Sequence, residues 1–262
     1  SLSFVSPYFE KNSKLLKTSN IINEISDFFD EIEGNYNFGH FYALLKLVAA
    51  VQDNFSDKII MKAVKSITEK IAYLCVVVDG NDLRDIDEDG LYNIFSLLQK
   101  FSFINEICDI INIYVSINIK LIKTPYIQKR FFGIKKIENL LINSHHSQIF
   151  KLLKNENVID YVLDNMDEKL VTDFAVIFRE MLSRGYVEYR EIKKFWSISV
   201  QHISLTNIFF SEWKKLIPIL KEKYVNDILK AAAEEKKFPK VALEFLFLLG
   251  NKASDDQKKH NF

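Results

Sequence analysis

Apolar side chains recur every three or four residues along most of this chain, the spacing of one face of an α-helix. The clearest run covers residues 56–78. There Ile60, Ala63, Val64, Ile67, Ile71, Leu74, Cys75 and Val78 fall on one side, and Lys58, Lys62, Lys65, Glu69 and Lys70 on the other. That pattern predicts one amphipathic helix of about six turns. Residues 168–184 repeat it with Leu170, Val171, Phe174, Ile177, Phe178, Met181 and Leu182, and Gly185 follows as a left-handed cap. A third run, 125–142, carries Ile127, Phe131, Ile134, Ile137 and Leu141. Pro125 suits its first helical position and Thr124 its N-cap.

Further helices are expected near 20–32, 39–53, 90–101, 103–122, 147–153, 156–164, 188–198, 205–222, 225–236 and 240–250. Pro218 lacks a backbone N–H and should kink or end the helix begun near Leu205. One stretch reads two ways. Residues 111–121, INIYVSINIKL, alternate as a strand would. We assign them to helix, because no partner strand is evident and a lone strand leaves its backbone unsatisfied.

The predicted fold class is therefore all-α: an α-solenoid of antiparallel helix pairs, armadillo/HEAT-like, running through 1–262 as a single helical-repeat domain. The wide apolar stripes favour layered packing over the narrow seam of a coiled coil. Repeats of ~40–47 residues would fit roughly six times into this length, although no self-similar consensus stands out. A compact helical bundle is the alternative.

Composition excludes several classes. With 48% hydrophobic residues the chain buries enough surface to fold. Seven glycines and four prolines are too few to punctuate an all-β fold. Basic and acidic residues balance at 35 each, which argues against a nucleic-acid binder. Within that balance residues 1–100 hold 10 basic and 15 acidic side chains, leaving the remainder at +5, an asymmetry that suits a protein partner. Cys75 and Cys108 lie in apolar helical runs and read as buried free thiols in a reducing, intracellular setting, cytoplasmic or nuclear. Neither a signal peptide nor a membrane-crossing run is present. The ends of the sequence read as those of a piece of a longer chain.

Candidate chemistry is sparse. Asp85-x-Asp87-x-Asp89-Gly90, the second half of the acidic loop 79–90, matches the opening of a calcium loop, but its twelfth position is Ser96 in place of the bidentate Glu. The simpler reading is that Asp89 caps a helix starting near Gly90. The histidines His40, His145, His146, His202 and His260 form no metal motif, and neither Glu31 nor Glu33 is marked as an acid or base. No nucleophile motif or phosphate loop occurs. We expect no catalytic, cofactor or metal residues in this segment. Lys120, Lys123, Lys129, Arg130, Lys135 and Lys136 form a basic run that is either a solvated face or a patch for an acidic protein surface. Trp196 and Trp213 are core anchors or, if exposed, interface hot spots. The candidate interaction surface is thus Lys129, Arg130, Lys135, Lys136 and Trp196.

Residues 120–235 carry a resemblance. TPYIQKRFFGIKKI (124–137) is followed by NVIDYVLDN (157–165), FREMLSRG (178–185) and YREIKKFWSISVQHIS (189–204). This order resembles the non-catalytic, armadillo-like region of the large fat-facets-type ubiquitin-specific proteases. Trp196 and His202 would occupy matching positions, one residue closer together than in the family, with Val200-Gln201 where the family has Gly-Lys. The resemblance implies a helical scaffold within a long deubiquitinase, with protein partners from the ubiquitin pathway. It implies no catalysis by this piece, since neither the Cys box nor the His box of that protease domain occurs here. A generic HEAT/armadillo-like adaptor and a calcium-binding helical protein are the other readings.

Overall fold

A computed structural model describes residues 38–54, 56–78, 83–101, 109–143, 147–202 and 204–260. Twelve α-helices run through these residues, with no strand among them. They are α1 (Phe38–Val51), α2 (Asp57–Val77), α3 (Glu88–Leu98), α4 (Ile110–Ile122), α5 (Ile127–Asn143) and α6 (Ser147–Asn155). Then come α7 (Val158–Asp164), α8 (Val171–Ser183), α9 (Tyr189–Gln201), α10 (Thr206–Leu216), α11 (Glu222–Ala233) and α12 (Lys240–His260). The all-α expectation holds. The helix expected at 20–32, Cys108, His145, His146, Glu31 and Glu33 lie outside the described residues.

The chain divides into two compact units, with the boundary between Ile117 and Asn118 inside α4. In the first unit α1 packs on both α2 and α3. Phe41, Leu45 and Val48 of α1 are buried, as are Val64, Ile67 and Ile71 of α2 and Leu91, Ile94 and Leu98 of α3. The stripe read from residues 56–78 is the buried side of α2, and Cys75 lies within it as a free buried thiol. The cap of α3 differs from expectation. Asp87, not Asp89, is the N-cap, and its carboxylate accepts from the backbone N–H of Gly90 at 3.0 Å. The helix opens two residues earlier than the glycine suggested, so Asp89 falls in its first turn, where a negative charge favours the positive helix end.

Helix α4 settles the ambiguous stretch. Ile110, Tyr114, Val115, Ile117, Asn118, Ile119, Leu121 and Ile122 are all buried, and Ser116 is exposed. A helix covered on nearly every side needs apolar residues all round, and such a sequence gives little helical periodicity.

In the second unit the helices from α7 onward alternate between two rows. Helices α5, α8, α10 and α12 form one row, each packed on the next, and α7, α9 and α11 form the other. Across the rows α9 packs on α10 and α11 on α12. Val171, Thr206 and Lys240 open the row members α8, α10 and α12 at intervals of 35 and 34 residues. Val158, Tyr189 and Glu222 open α7, α9 and α11 at intervals of 31 and 33. This period is shorter than the ~40–47 residues expected of HEAT or armadillo repeats and close to the ~34 of a helix–turn–helix repeat.

The joints follow from local chemistry. Gly185 has φ +84°, and the N–H groups of Gly185 and Tyr186 close on the carbonyls of Leu182 (3.1 Å) and Met181 (2.9 Å). That is a complete Schellman cap, as the glycine predicts. Pro218 ends α10 as expected: the helix stops at Leu216 and a single 3₁₀ turn, Ile217–Ile219, follows. Thr124 departs from expectation. It is buried, its hydroxyl donates to the carbonyl of Leu121 at 2.8 Å, and α5 begins only at Ile127. It closes the end of α4 rather than capping α5.

Aromatic rings fill the space between the rows. Phe178 and Phe195 stand 4.5 Å apart between ring centres, Phe195 and Trp213 4.8 Å, Trp196 and Phe210 5.4 Å, and Trp213 and Phe245 5.7 Å. Helices α8, α9, α10 and α12 thus share one aromatic core. Trp213 Nε1 donates to Ser199 Oγ at 3.0 Å, and that hydroxyl donates to the Phe195 carbonyl at 2.6 Å, so the buried indole N–H has its partner.

Candidate interaction surface

The basic run on α4 and α5 is half-buried, and several of its cations are engaged. Lys123 pairs with Glu156 at 2.6 Å, and the Arg130 guanidinium donates to the carbonyl of Asn165. Lys135 bridges Glu138 at 2.7 Å and Asp173 of α8 at 3.0 Å. The hydrogen bonds to Glu138 and Asp173 hold the Lys135 ammonium above the usual lysine range. Lys136 stands over the ring of Phe132, 5.0 Å from its centre, and Lys129 is half-buried. Several of these cations therefore tie α4 and α5 to later helices. The sequence does not reveal those partners, which lie 33, 35 and 38 residues further along.

Trp196 requires a correction. It is fully buried, between Phe210, Trp213, Phe238 and Phe245, and is a core residue rather than an interface hot spot. Helix α9 is covered by α7 and α11 within its row and by α10 across it, so Phe195 and Trp196 are both enclosed. His202, the other residue of the resemblance, caps the end of α9 with its side chain exposed, and its carbonyl accepts from Thr206 Oγ1 at 2.9 Å.

A second set of charges joins α6, α7, α9 and α11. Lys154 pairs with Glu188 at the start of α9, Arg190 with Asp160, Lys194 with Asp164 at 2.7 Å, and Lys193 with Glu234. Tyr189 adds a hydrogen bond to Glu234 at 2.8 Å. The hydrogen bond from Lys154 holds the Glu188 carboxyl below the ordinary carboxylate range, and the bonds from Lys193 and Tyr189 do the same for Glu234. In the other row Lys214 reaches Glu244 at 3.7 Å. Each pair sits at the rim of a helix contact, where it fixes register more than it adds stability.

Two open depressions mark this unit. One, of about 600 Å³, is lined by Asp160, Asp164, Arg190, Lys193, Lys194 and Ser197. Asp160 pairs with Arg190, Asp164 with Lys194 and Lys193 with Glu234 outside it, and Ser197 Oγ accepts from Gln201 at 2.7 Å. The other, of about 410 Å³, lies where Val200, Thr206 and Asn207 meet Pro239–Val241 and Glu244. Neither brings together a nucleophile, a base and an oxyanion donor. Among the described residues no group of three His, Cys, Asp or Glu side chains could hold a metal ion, and the carboxylate of Asp87 serves as a helix cap. Residues 79–82 of the acidic loop lie outside the described residues. No described helix is long and apolar enough to cross a membrane.

The feature that sequence reasoning missed is on α12. Its inner side, Ala242, Phe245 and Leu249, is fully buried, while Leu243, Phe247 and Leu248 are 53%, 70% and 43% exposed. The unbroken run Leu246-Phe247-Leu248-Leu249 signals it, being wider than one buried face requires. No family model, curated protein or solved structure matches the chain.

Proposed function

We propose that this chain is a non-catalytic protein-interaction scaffold, an α-solenoid segment of a large fat-facets-type ubiquitin-specific protease that positions partners or the catalytic domain. The observation that carries the reading is the order of contacts in the second unit. Helices two or three places apart in the chain pack in sequence along two rows, at intervals of 31 to 35 residues for most steps. Stacked helix pairs of this kind present long surfaces to other proteins and need no active site.

The ubiquitin connection rests on the four segments of the resemblance, which fall on α5, α7, α8 and α9, helices of both rows. The gene-length sequence tests it. A protease domain with Cys and His boxes on the same polypeptide is expected, and its absence leaves a generic helix-pair adaptor as the reading. Small-angle scattering tests the solenoid itself. A radius of gyration well above the roughly 18 Å of a compact globule this long is expected, and a value at 18 Å would refute it.

A further inference from the structure

We infer that residues 111–121 are a latent β-strand, held as part of helix α4 by the packing around it, and that on release the segment pairs with the same segment of a second copy of this chain. The inference is independent of the proposed scaffold role. It starts from a conflict between local preference and observed structure. Seven of the thirteen residues of α4, IINIYVSINIKLI, are Ile or Val. Such branched side chains lose rotamer freedom in a helix and fit a pleated strand, and Tyr114 shares the preference. No Gly or Pro interrupts residues 109–124, and Lys120 is the only charge between 110 and 122. That is the composition of a segment that stacks as cross-β.

The alternation selects the partner. In an extended chain successive side chains face opposite ways. Ile111, Ile113, Val115, Ile117, Ile119 and Leu121 then form one unbroken aliphatic face, and Asn112, Tyr114, Ser116, Asn118 and Lys120 the other. In a stack of identical strands in register, the first face closes as a dry interdigitated layer, and the second builds amide ladders and stacked tyrosine rings. Only a second copy supplies both faces in the same register. In α4 the Asn112 Oδ1 is buried without a hydrogen-bond partner, and an amide ladder gives it one. Burial keeps the segment helical. Ile110, Val115, Ile117, Ile119, Leu121 and Ile122 are at most 3% exposed, and α5 comes so close that a Cβ on Gly133 would stand 2.7 Å from the Asn118 carbonyl oxygen. The strand is therefore hidden in the folded chain, and local opening of α4 from α5 presents it.

The test follows thioflavin T fluorescence of the whole chain held just below its Tm. Ser116 is exposed on α4, so Ser116→Lys leaves the Tm unchanged while placing a charge at the middle of the strand. Thr172→Lys, exposed on α8, adds the same charge elsewhere as the control. The wild type and T172K are expected to form fibrils with a reflection at about 4.7 Å, and a protease-resistant core that mass spectrometry maps to residues including 111–121. S116K should lengthen the lag on the order of ten-fold. Gly133→Ala, which pushes α5 away from α4, should raise the fibril rate by up to about thirty-fold. If that variant fails to fold, the comparison of S116K with the wild type and T172K decides alone. A wild-type chain that stays soluble, an amorphous aggregate without the reflection, a core outside 111–121, or equal lags for S116K and T172K would overturn the inference.

Discussion

Replacing Gly133 and Gly250 by alanine sets one substitution against itself at two sites. Both glycines lie inside helices, α5 and α12, where Gly→Ala stabilises by about 1 kcal/mol through backbone entropy. At Gly250 the new methyl meets nothing within 4 Å, so that gain stands alone. At Gly133 it would lie 2.7 Å from the carbonyl oxygen of Asn118, 2.9 Å from Ile122 Cγ1 and 3.2 Å from the backbone nitrogen of Ile122. Two of these atoms are backbone and cannot swing aside, so α4 and α5 must separate. Overpacking of this kind costs ~1–3 kcal/mol, and separation also loosens the buried contacts of Ile134 and Ile137. The net expectation for G133A is a loss of up to about 2 kcal/mol, or up to roughly 6 °C in Tm, and for G250A a gain of about 1 kcal/mol. Both tryptophans of the chain, Trp196 and Trp213, lie in the second unit, as do both glycines, so indole fluorescence during urea unfolding reads that unit directly. If G133A raises the urea midpoint as G250A does, the close approach of α4 and α5 is wrong.

Ser199→Ala removes the acceptor of the buried Trp213 N–H and should cost about 1–3 kcal/mol by the same fluorescence assay, with little change in the urea slope. Gly185→Ala meets only Tyr224 Oη, at 4.0 Å, so its cost is conformational, about 1 kcal/mol from holding alanine at φ +84°. The pH dependence has two limbs. Glu188 and Glu234 have lowered carboxyl pKa values in the folded state, so their contribution is complete above about pH 5 and fades as pH falls through the lowered values. Lys154, Lys193 and Lys135 have raised values, so theirs is complete up to about pH 10 and is lost as pH climbs through the raised values. Glu188→Gln with Glu234→Gln should flatten the acid limb of the urea midpoint against pH, and 1 M salt should shrink both limbs. An acid limb unchanged in the double variant would show that these pairs carry none of it.

What was legible in the sequence was whatever acts over one helical turn. The stripe of α2, the glycine after α8 and the proline after α10 each announce their role through the backbone beside them. The caps were harder, because Asp87 and Asp89 satisfy the same local rule and only the first turn of α3 decides between them. Thr124 illustrates the same problem across a joint, where one hydroxyl can serve either helix. Helix α4 alternates like a strand because it is covered nearly all round. Tertiary partners decide exposure, and there the sequence is silent. Nothing near Lys135 in the sequence announces Asp173, and nothing local places Trp196 among four rings from α10, α12 and the segment before α12.

The row arrangement has a mechanical consequence. Among the described polar contacts between helices of the second unit, the longest in sequence, Tyr189 to Glu234, spans 45 residues, so none requires the two ends of the unit to meet. Folding can then spread outward from any completed step, with modest loop-closure entropy at each addition. Under a pulling force the same property works in reverse. The load falls on one joint at a time. If the rows are those of the proposed solenoid, the unit lengthens in increments of a single step and recovers them in turn.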